Sequence, residues 1–130
     1  MVPATESAIE AAEERLRVRF PSDYRRYLLS ENGNARWYGD LYLVLHPLSS
    51  VVELTERHDH QDTFPGLVFI GGDGAGEAVG FDFRKEDPPV VLVNLVSAGW
   101  HEALYQAPSF TAFMEQRAQG KDFSWKGGYE

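Results

Sequence analysis

The sequence has 130 residues, the length of one domain, and its 43 % hydrophobic and 25 % charged residues exclude a disordered or collagen-like chain. Twenty acidic residues against twelve basic ones give a formal net charge of −8. This charge repels phosphate backbones and anionic lipid and attracts basic proteins, so we expect neither nucleic acid nor a membrane as partner. The absence of cysteine excludes disulfides and thiolate chemistry. With no basic and apolar leader pattern at the start and no apolar run near the roughly 18 residues of a membrane span, we expect a cytoplasmic protein.

Two helices are predicted at the start of the chain. Ser7 and Glu10 have the spacing of a capping box, and apolar residues recur behind them at helical intervals, which predicts a helix over 7–18. Pro21 suits the first position of a second helix, because its missing amide has no helical partner there. Asn32-Gly33 is a stop signal, since glycine adopts the left-handed conformation of a helix terminus without steric cost.

The spacing of apolar residues then changes to that of strands. The predicted strands, in chain order, are Leu41–Leu45, Leu67–Ile70, Ala78–Phe83 and Val90–Val93. The first is continuously apolar, which predicts burial on both faces. The second and third are joined by a glycine-rich segment, which predicts an antiparallel hairpin.

Between and after these strands the signals are weaker. Residues 51–57 have the pattern of one or two helical turns, and the polar stretch 58–64 is predicted to be an exposed loop. Residues 100–105 fit either a short strand or a helical turn. Ser109 is a plausible N-cap for a last helix that ends near Gly120.

Helices at both ends with consecutive strands between them predict one α+β domain over residues 1–130, with a central, mainly antiparallel sheet flanked by N-terminal helices and a C-terminal helix. Residues 121–130 carry three aromatic residues. This segment therefore either docks by its aromatic side chains or forms a loosely attached tail.

No catalytic motif is complete. The glycine-rich segment lacks the third glycine of the dinucleotide fingerprint and the Gly-Lys-Ser/Thr of a phosphate loop, so Gly72, Gly74 and Gly76 indicate a tight hairpin with positive φ at several positions. His101 opens a near match to the zinc-protease helix, but Tyr105 replaces the second metal ligand. No serine occupies a nucleophile elbow. We therefore expect no enzyme and no cofactor.

A weak metal-site candidate remains in the predicted loop. In an extended segment His58, His60 and Asp62 point the same way, so the three side chains would converge on one ion. A solvated loop of the same composition is the alternative interpretation.

Two kinds of residue are candidate contacts for a protein partner. Large aromatic residues supply contact area at low entropic cost, and acidic residues in loops attract a basic surface. The set comprises Trp37, Tyr38, Asp59, Asp62, Glu86, Asp87 and Trp100. The alternative is that the aromatic residues complete the core and that the acidic residues lie in solvated turns.

The first third of the chain resembles the SUKH superfamily, the domain of fungal cell-wall-assembly regulators and many bacterial immunity proteins. The residues that carry the resemblance are Ile9, Glu13, Leu16, Phe20-Pro21-x-Asp23-Tyr24, Tyr27-Leu28 and Asn32-Gly33. It continues at Ile70–Asp82 and Ser109–Met114, covering about 110 of the 130 residues. The departures are Phe20 in place of leucine, the histidine-rich insert and the aromatic tail.

The resemblance implies an α+β fold with an antiparallel sheet flanked by helices and no catalysis. Bacterial members typically neutralise a toxin used between competing cells, often a nuclease, and a basic nuclease suits an acidic inhibitor. The leading hypothesis is therefore an immunity protein that binds a basic toxin domain. The alternatives are a regulatory or scaffold domain that binds a host protein and a metal or small-ligand sensor. Pro21, Asn32, Gly33 and the hairpin glycines are interpreted as scaffold residues.

Overall fold

The computed structural model describes residues 2–129 of the chain, and this part contains five helices and six strands. The helices are α1 (Glu6–Leu16), α2 (Ser22–Ser30), α3 (Leu48–Glu56), α4 (His58–Thr63) and α5 (Phe110–Ala118). The strands are β1 (Asn34–Tyr38), β2 (Leu41–Leu45), β3 (Leu67–Gly72), β4 (Glu77–Asp82), β5 (Val90–Asn94) and β6 (Leu104–Ala107). A single 3-10 turn, Trp100–Glu102, precedes β6.

The strands form one sheet in chain order, β1-β2-β3-β4-β5-β6, and every neighbouring pair is antiparallel. The predicted α+β architecture is therefore confirmed. The β1–β2, β3–β4 and β5–β6 connections begin at one end of the sheet, which we call the hairpin end. The other two connections begin at the opposite end. Strands β1 and β6 are the two edges.

The two faces of the sheet are covered differently. On one face, α1, α2, α3 and α5 pack against the sheet in a large hydrophobic cluster that includes Ile9, Tyr24, Val51, Phe81 and Phe113. The other face carries a smaller cluster. Its buried members are Phe64, Leu67, Phe69, Ala78, Val91, Val93 and Ala103. Helices segregated to one face of an antiparallel sheet are the expected arrangement for an α+β domain.

The start of α1 differs from the prediction. Thr5, not Ser7, is the N-cap: its hydroxyl accepts a hydrogen bond from the Ala8 N–H at 3.1 Å, and Glu6 opens the first turn. Pro21 lies at the cap position, immediately before α2 rather than inside it. The Asn32-Gly33 stop is confirmed, since both residues have positive φ, 54° and 106°.

The prediction that β2 is buried on both faces is wrong. Leu43 and Leu45 are buried in the large cluster, whereas Tyr42 and Val44 on the opposite face are only partly covered. The reason is that within residues 2–129 the only strand beyond β2 on that side is β1, which the sequence pattern did not predict. Tyr42 and Val44 also lie on the face that carries the smaller cluster.

The interpretation of the hairpin glycines also needs correction. Within the 73–76 turn only Gly74 has a positive φ, 81°. Gly71 and Gly72 are required for a different reason: a Cβ at either residue would overlap a carbonyl oxygen, that of Val44 or Glu77. Close approach of neighbouring backbones, rather than left-handed geometry, therefore explains these two glycines.

The segment after α5 lies along β6. The Gln106 side chain exchanges two hydrogen bonds with the main chain of Ser124, at 2.7 and 2.9 Å. Phe123 is 4 % exposed and stacks on Phe113, with ring centroids 6.3 Å apart. Residues 121–129, which we call the C-terminal strap, thus dock by an aromatic side chain and by main-chain hydrogen bonds. Glu130 lies outside the described residues.

Candidate protein-binding surface

The largest exposed aromatic side chain of the sheet lies at the outer corner of the hairpin end. Trp37 on β1 is 66 % exposed, and it faces Tyr42 directly across the β1–β2 ladder with the ring centroids 5.1 Å apart. The two strands are joined by Gly39 and Asp40, and Gly39 has the positive φ, 64°, that two-residue hairpin turns require. This tight turn fixes the register and so places the two rings side by side.

Further exposed residues of the hairpin end lie on the β3–β4 turn and in the β5–β6 connection. Gly74 lies against the Tyr42 ring, close enough that a Cβ there would be 3.5 Å from it. The Leu95 N–H donates to the Gly76 carbonyl at 3.0 Å, which ties the β5–β6 connection to the β3–β4 turn. Val96 is 92 % exposed. We call this set of residues along the hairpin end the Trp37 surface: Trp37, Tyr42, Gly74, Leu95 and Val96.

Three carboxylates border the Trp37 surface. Asp40, Asp73 and Glu77 have no Lys, Arg or His nitrogen within 4.0 Å among residues 2–129. Asp73 is held by N–H groups of its own turn, at 2.8 Å from Ala75, and Glu77 accepts a 2.8 Å hydrogen bond from the Asn94 amide. Their negative charge is therefore oriented but not neutralised by a base.

A second aromatic cluster, on the other face of the molecule from α1 and α2, surrounds a buried carboxylate. Asp82 is fully buried, and it accepts two 2.9 Å hydrogen bonds from the Arg84 guanidinium and one from the Tyr129 hydroxyl. The guanidinium lies 3.8 Å from the ring centroid of Trp100, whose indole N–H donates to the Pro65 carbonyl at 2.9 Å. This Asp82 cluster ties the C-terminal strap to β4 and to the 3-10 turn.

Asp82 and Arg84 form an ion pair in which the carboxylate is buried. Burial alone would raise the pKa of Asp82, but hydrogen bonds from Arg84 and Tyr129 outweigh it and hold the pKa below its usual value. Burial and the hydrogen bond to Asp82 raise the pKa of Tyr129. Both carboxylate oxygens are occupied by partners within the chain. The cluster therefore stabilises the fold and offers no free acid or base.

The residues of the weak metal-site candidate do not converge. The 58–64 segment is helix α4 rather than the predicted loop, so His58 and Asp62 lie together, 3.3 Å apart, and His60 turns away. The His60 Nδ1 lies 2.8 Å from the Leu54 carbonyl, and its ring stacks on Phe69. Within residues 2–129, no group of three or more His, Asp or Glu side chains is arranged to hold a metal ion.

The predicted contact residues fall into separate groups. Trp37 and Tyr38 are neighbours on a strand, so they point to opposite faces, and Tyr38 packs partly buried against the large cluster. Glu86 and Asp87 are exposed in the β4–β5 connection, at the end of the sheet opposite the hairpin end. Asp59 and Asp62 on α4 are exposed but paired with Arg57 and His58.

The sequence reasoning did not identify most of the Trp37 surface. Tyr42 was assigned to a fully buried strand, and Leu95 and Val96 were not assigned at all. Their signal was present, because an apolar pair that follows the polar Asn94 extends the hydrophobic run beyond the strand into a turn. Exposed apolar residues that continue past a strand end indicate a contact surface.

The fold and this surface define a class of protein: a small α+β domain with four helices on one face of a six-stranded antiparallel meander and an exposed apolar corner. The sequence model of the SMI1 / KNR4 family (SUKH-1) matches residues 3–116, so the chain belongs to this family and the resemblance is confirmed. The match covers α1 to most of α5 and stops before the C-terminal strap. Family membership supports a non-catalytic domain with a protein-binding role.

No curated protein matches the sequence significantly. None of the helices within residues 2–129 combines the length and the hydrophobicity needed to span a bilayer.

Proposed function

We propose that this protein is an immunity protein that binds a basic toxin domain, for example that of a nuclease, and neutralises it by occlusion in the cytoplasm. The observation that supports this function best is the Trp37 surface, an exposed apolar corner bordered by carboxylates without basic partners. The net charge of −8 supports it independently. Family membership is consistent with the proposal, because immunity proteins are one branch of the superfamily.

The two properties of the surface serve different steps of binding. The carboxylates Asp40, Asp73 and Glu77 attract a basic partner over a distance comparable with the Debye length, which raises the association rate. Trp37 then supplies buried apolar area once the contact has formed, and tryptophan is among the residues that most often dominate binding energy. Affinity should therefore depend on Trp37, and association rate on ionic strength.

The experiment starts from the gene next to that of this chain, which we expect to encode the toxin domain. Co-expression should rescue cell growth, and the purified pair should associate at a rate that falls steeply between low and physiological salt. Trp37→Ala should weaken binding by about 30-fold, the effect of losing a hot spot of about 2 kcal/mol. Trp125→Ala is the matched control, because Trp125 is also exposed but lies on the C-terminal strap.

Three results would go against this function. Equal losses of affinity for the two tryptophan variants would show that the Trp37 surface is not part of the interface. An association rate independent of salt would show that electrostatic steering does not contribute. Co-purification of a host protein without any inhibition of the toxin would favour a regulatory domain, as in the fungal members of the superfamily.

A further inference from the structure

The outer edge of β1 presents backbone groups that the fold leaves unpaired. The His46 N–H donates to the Ile70 carbonyl at 2.9 Å, so His46 and the alternate residues of β2 before it bond toward β3. The remaining β2 residues, Leu41, Leu43 and Leu45, bond toward β1. In the observed register their partners are Tyr38, Arg36 and Asn34.

It follows that Ala35 and Trp37 direct their N–H and C=O groups away from β2. No strand of residues 2–129 pairs with this side of β1, which is the first strand of the sheet order. The strand contains no proline or bulge, and its single charged side chain, Arg36, is paired with Glu31 at 3.2 Å. Proline and bulges, two of the features by which edge strands usually block pairing, are therefore absent from Asn34–Tyr38, and Arg36 is its one charged residue.

A second copy of this chain is a poor occupant of the edge. Symmetric antiparallel pairing that uses Ala35 and Trp37 places Arg36 directly opposite Arg36 of the other copy, and like charges in that position are destabilising. Each copy also carries a net charge of −8. For a partner with positive charge, the repulsion between net charges becomes an attraction, to which the carboxylates at the neighbouring turns contribute. The repulsion at Arg36 is avoided if the partner residue opposite it is uncharged.

We propose that an extended segment of a basic protein partner adds to the β1 edge as a seventh strand. Its backbone pairs with the N–H and C=O groups of Ala35 and Trp37. This inference rests on the proposed function for the charge of the partner, and it adds the mode of binding. Backbone pairing supplies affinity in such strand addition, and side-chain contacts supply specificity.

The side chains beside the edge define what the added strand must carry. Trp37 is exposed on one face of β1, so the strand needs an apolar side chain on that face to cover the indole. Asp40 lies in the turn that ends β1, where it attracts a lysine or arginine at one end of the strand. The residue opposite Arg36, on the other face, must not be basic. A sequence with valine on the Trp37 face, threonine on the Arg36 face and lysine at the end beside Asp40 meets these requirements.

The test uses a blocked peptide of alternating valine and threonine with lysines at the end beside Asp40, and it measures backbone amide exchange of the intact protein by NMR. At a peptide concentration about ten times its Kd, exchange at Ala35 and Trp37 should slow about tenfold. Two control peptides separate the contributions. The same sequence N-methylated at valine lacks the pairing donors, and the sequence with glutamate in place of each lysine reverses the charge beside Asp40; neither should protect these amides.

Two variants complete the test. Ala35→Pro removes an N–H that faces away from β2, where an edge strand tolerates proline, so it should fold and lose peptide binding at least tenfold. Ala35→Val keeps the N–H and should bind as the original does. Circular dichroism checks folding, and the exchange data on the unsubstituted protein decide the question if Ala35→Pro does not fold.

The outcomes are distinguishable. Binding of the lysine peptide without protection of Ala35 and Trp37, or no binding at all, overturns strand addition and leaves the proposed function standing. Equal binding of the lysine and glutamate peptides contradicts the basic partner on which the proposed function rests. Protection of the Ala35 and Trp37 amides that grows with protein concentration in the absence of peptide would show that a second copy of this chain, rather than a basic partner, pairs with β1.

Discussion

The two edges of the sheet differ in whether another segment of the chain lies against the edge strand. Edge strand β6 is flanked by the C-terminal strap: Gln106 holds Ser124, Phe123 is buried, and Tyr129 reaches the buried Asp82. No strand within residues 2–129 pairs with the outer edge of β1. The difference teaches that this chain covers one edge with residues beyond the family match and leaves unpaired the edge at which we propose that a partner binds.

The largest predicted effect concerns the covered edge. Phe123→Ala should lower the free energy of unfolding by about 3 kcal/mol, because it leaves a cavity against Phe113 in the large cluster. Urea denaturation measures this change. Trp125→Ala, at an exposed residue of the same strap, should cost less than about 1 kcal/mol. Equal losses of unfolding free energy in the two variants would show that burial of the Phe123 ring does not contribute specifically to stability.

The second prediction concerns the link between the strap and the Asp82 cluster. Tyr129→Phe removes the hydroxyl that donates to a buried carboxylate, and it should cost about 1.5 kcal/mol at neutral pH. Tyr105→Phe is the control, because Tyr105 stacks on Tyr129 and its exposed hydroxyl is not part of the cluster. Urea denaturation of both variants gives the comparison.

The same variant predicts a change in acid sensitivity. The folded-state pKa of Asp82 lies below its ordinary value, so between the two values the unfolded chain binds more protons. Its contribution to stability is present above about pH 4 and is lost as the pH falls through the folded-state pKa. Tyr129→Phe should lose less stability over that window. A parallel acid titration of both proteins would contradict this role of Tyr129.

The third prediction is a gain of stability. Arg117 is 1 % exposed and its guanidinium contacts the rings of both Phe113 and Phe123, yet its Nε and Nη1 have no hydrogen-bond partner among the described residues. Burial lowers its pKa, and only partly compensating contacts to Gln116 and the Asp122 carbonyl remain. Arg117→Met should raise the unfolding free energy by about 1 kcal/mol.

The control for this substitution is Arg26→Met, at an exposed position of α2, which should change the unfolding free energy by less than about 0.5 kcal/mol. A loss of stability in Arg117→Met would mean that the buried guanidinium contributes more by its contacts than it costs by its burial.

The smallest predicted effect concerns the open edge. Trp37→Ala should change the unfolding free energy by less than about 0.5 kcal/mol, because the indole is mostly in solvent and contacts chiefly Tyr42. The same variant should weaken toxin binding. A loss of stability comparable with that of Phe123→Ala would show that Trp37 is a structural residue and would remove the contrast between the edges.

The sequence predicted the elements whose ends and faces are encoded locally. The last helix begins at Ser109, whose hydroxyl accepts from the Ala112 N–H at 3.1 Å, and the Asn32-Gly33 stop is equally local. Helix α4 was missed because it has no apolar stripe. It is held by contacts outside itself, such as the Gln61 amide, which donates to the Thr55 carbonyl at 2.7 Å.

The candidate site was predicted less completely, because it depends on register. Trp37 was identified by its chemistry, but β1 lacks the alternation that would have shown Tyr38 pointing to the other face. The burial of Arg117 carries no sequence signal at all, since it results from the strap folding back over α5. Tertiary contacts, which override local propensity, decide both features.

The chain-order sheet also bears on how the molecule is made. Each strand pairs with the one synthesised just before it, so no ladder has to wait for a strand that follows later in the chain. Covering of the β6 edge is different, because it requires the strap, which follows both β6 and α5. Until the strap docks, β6 is a second unpaired edge, and a folding intermediate without the docked strap would be more prone to aggregation.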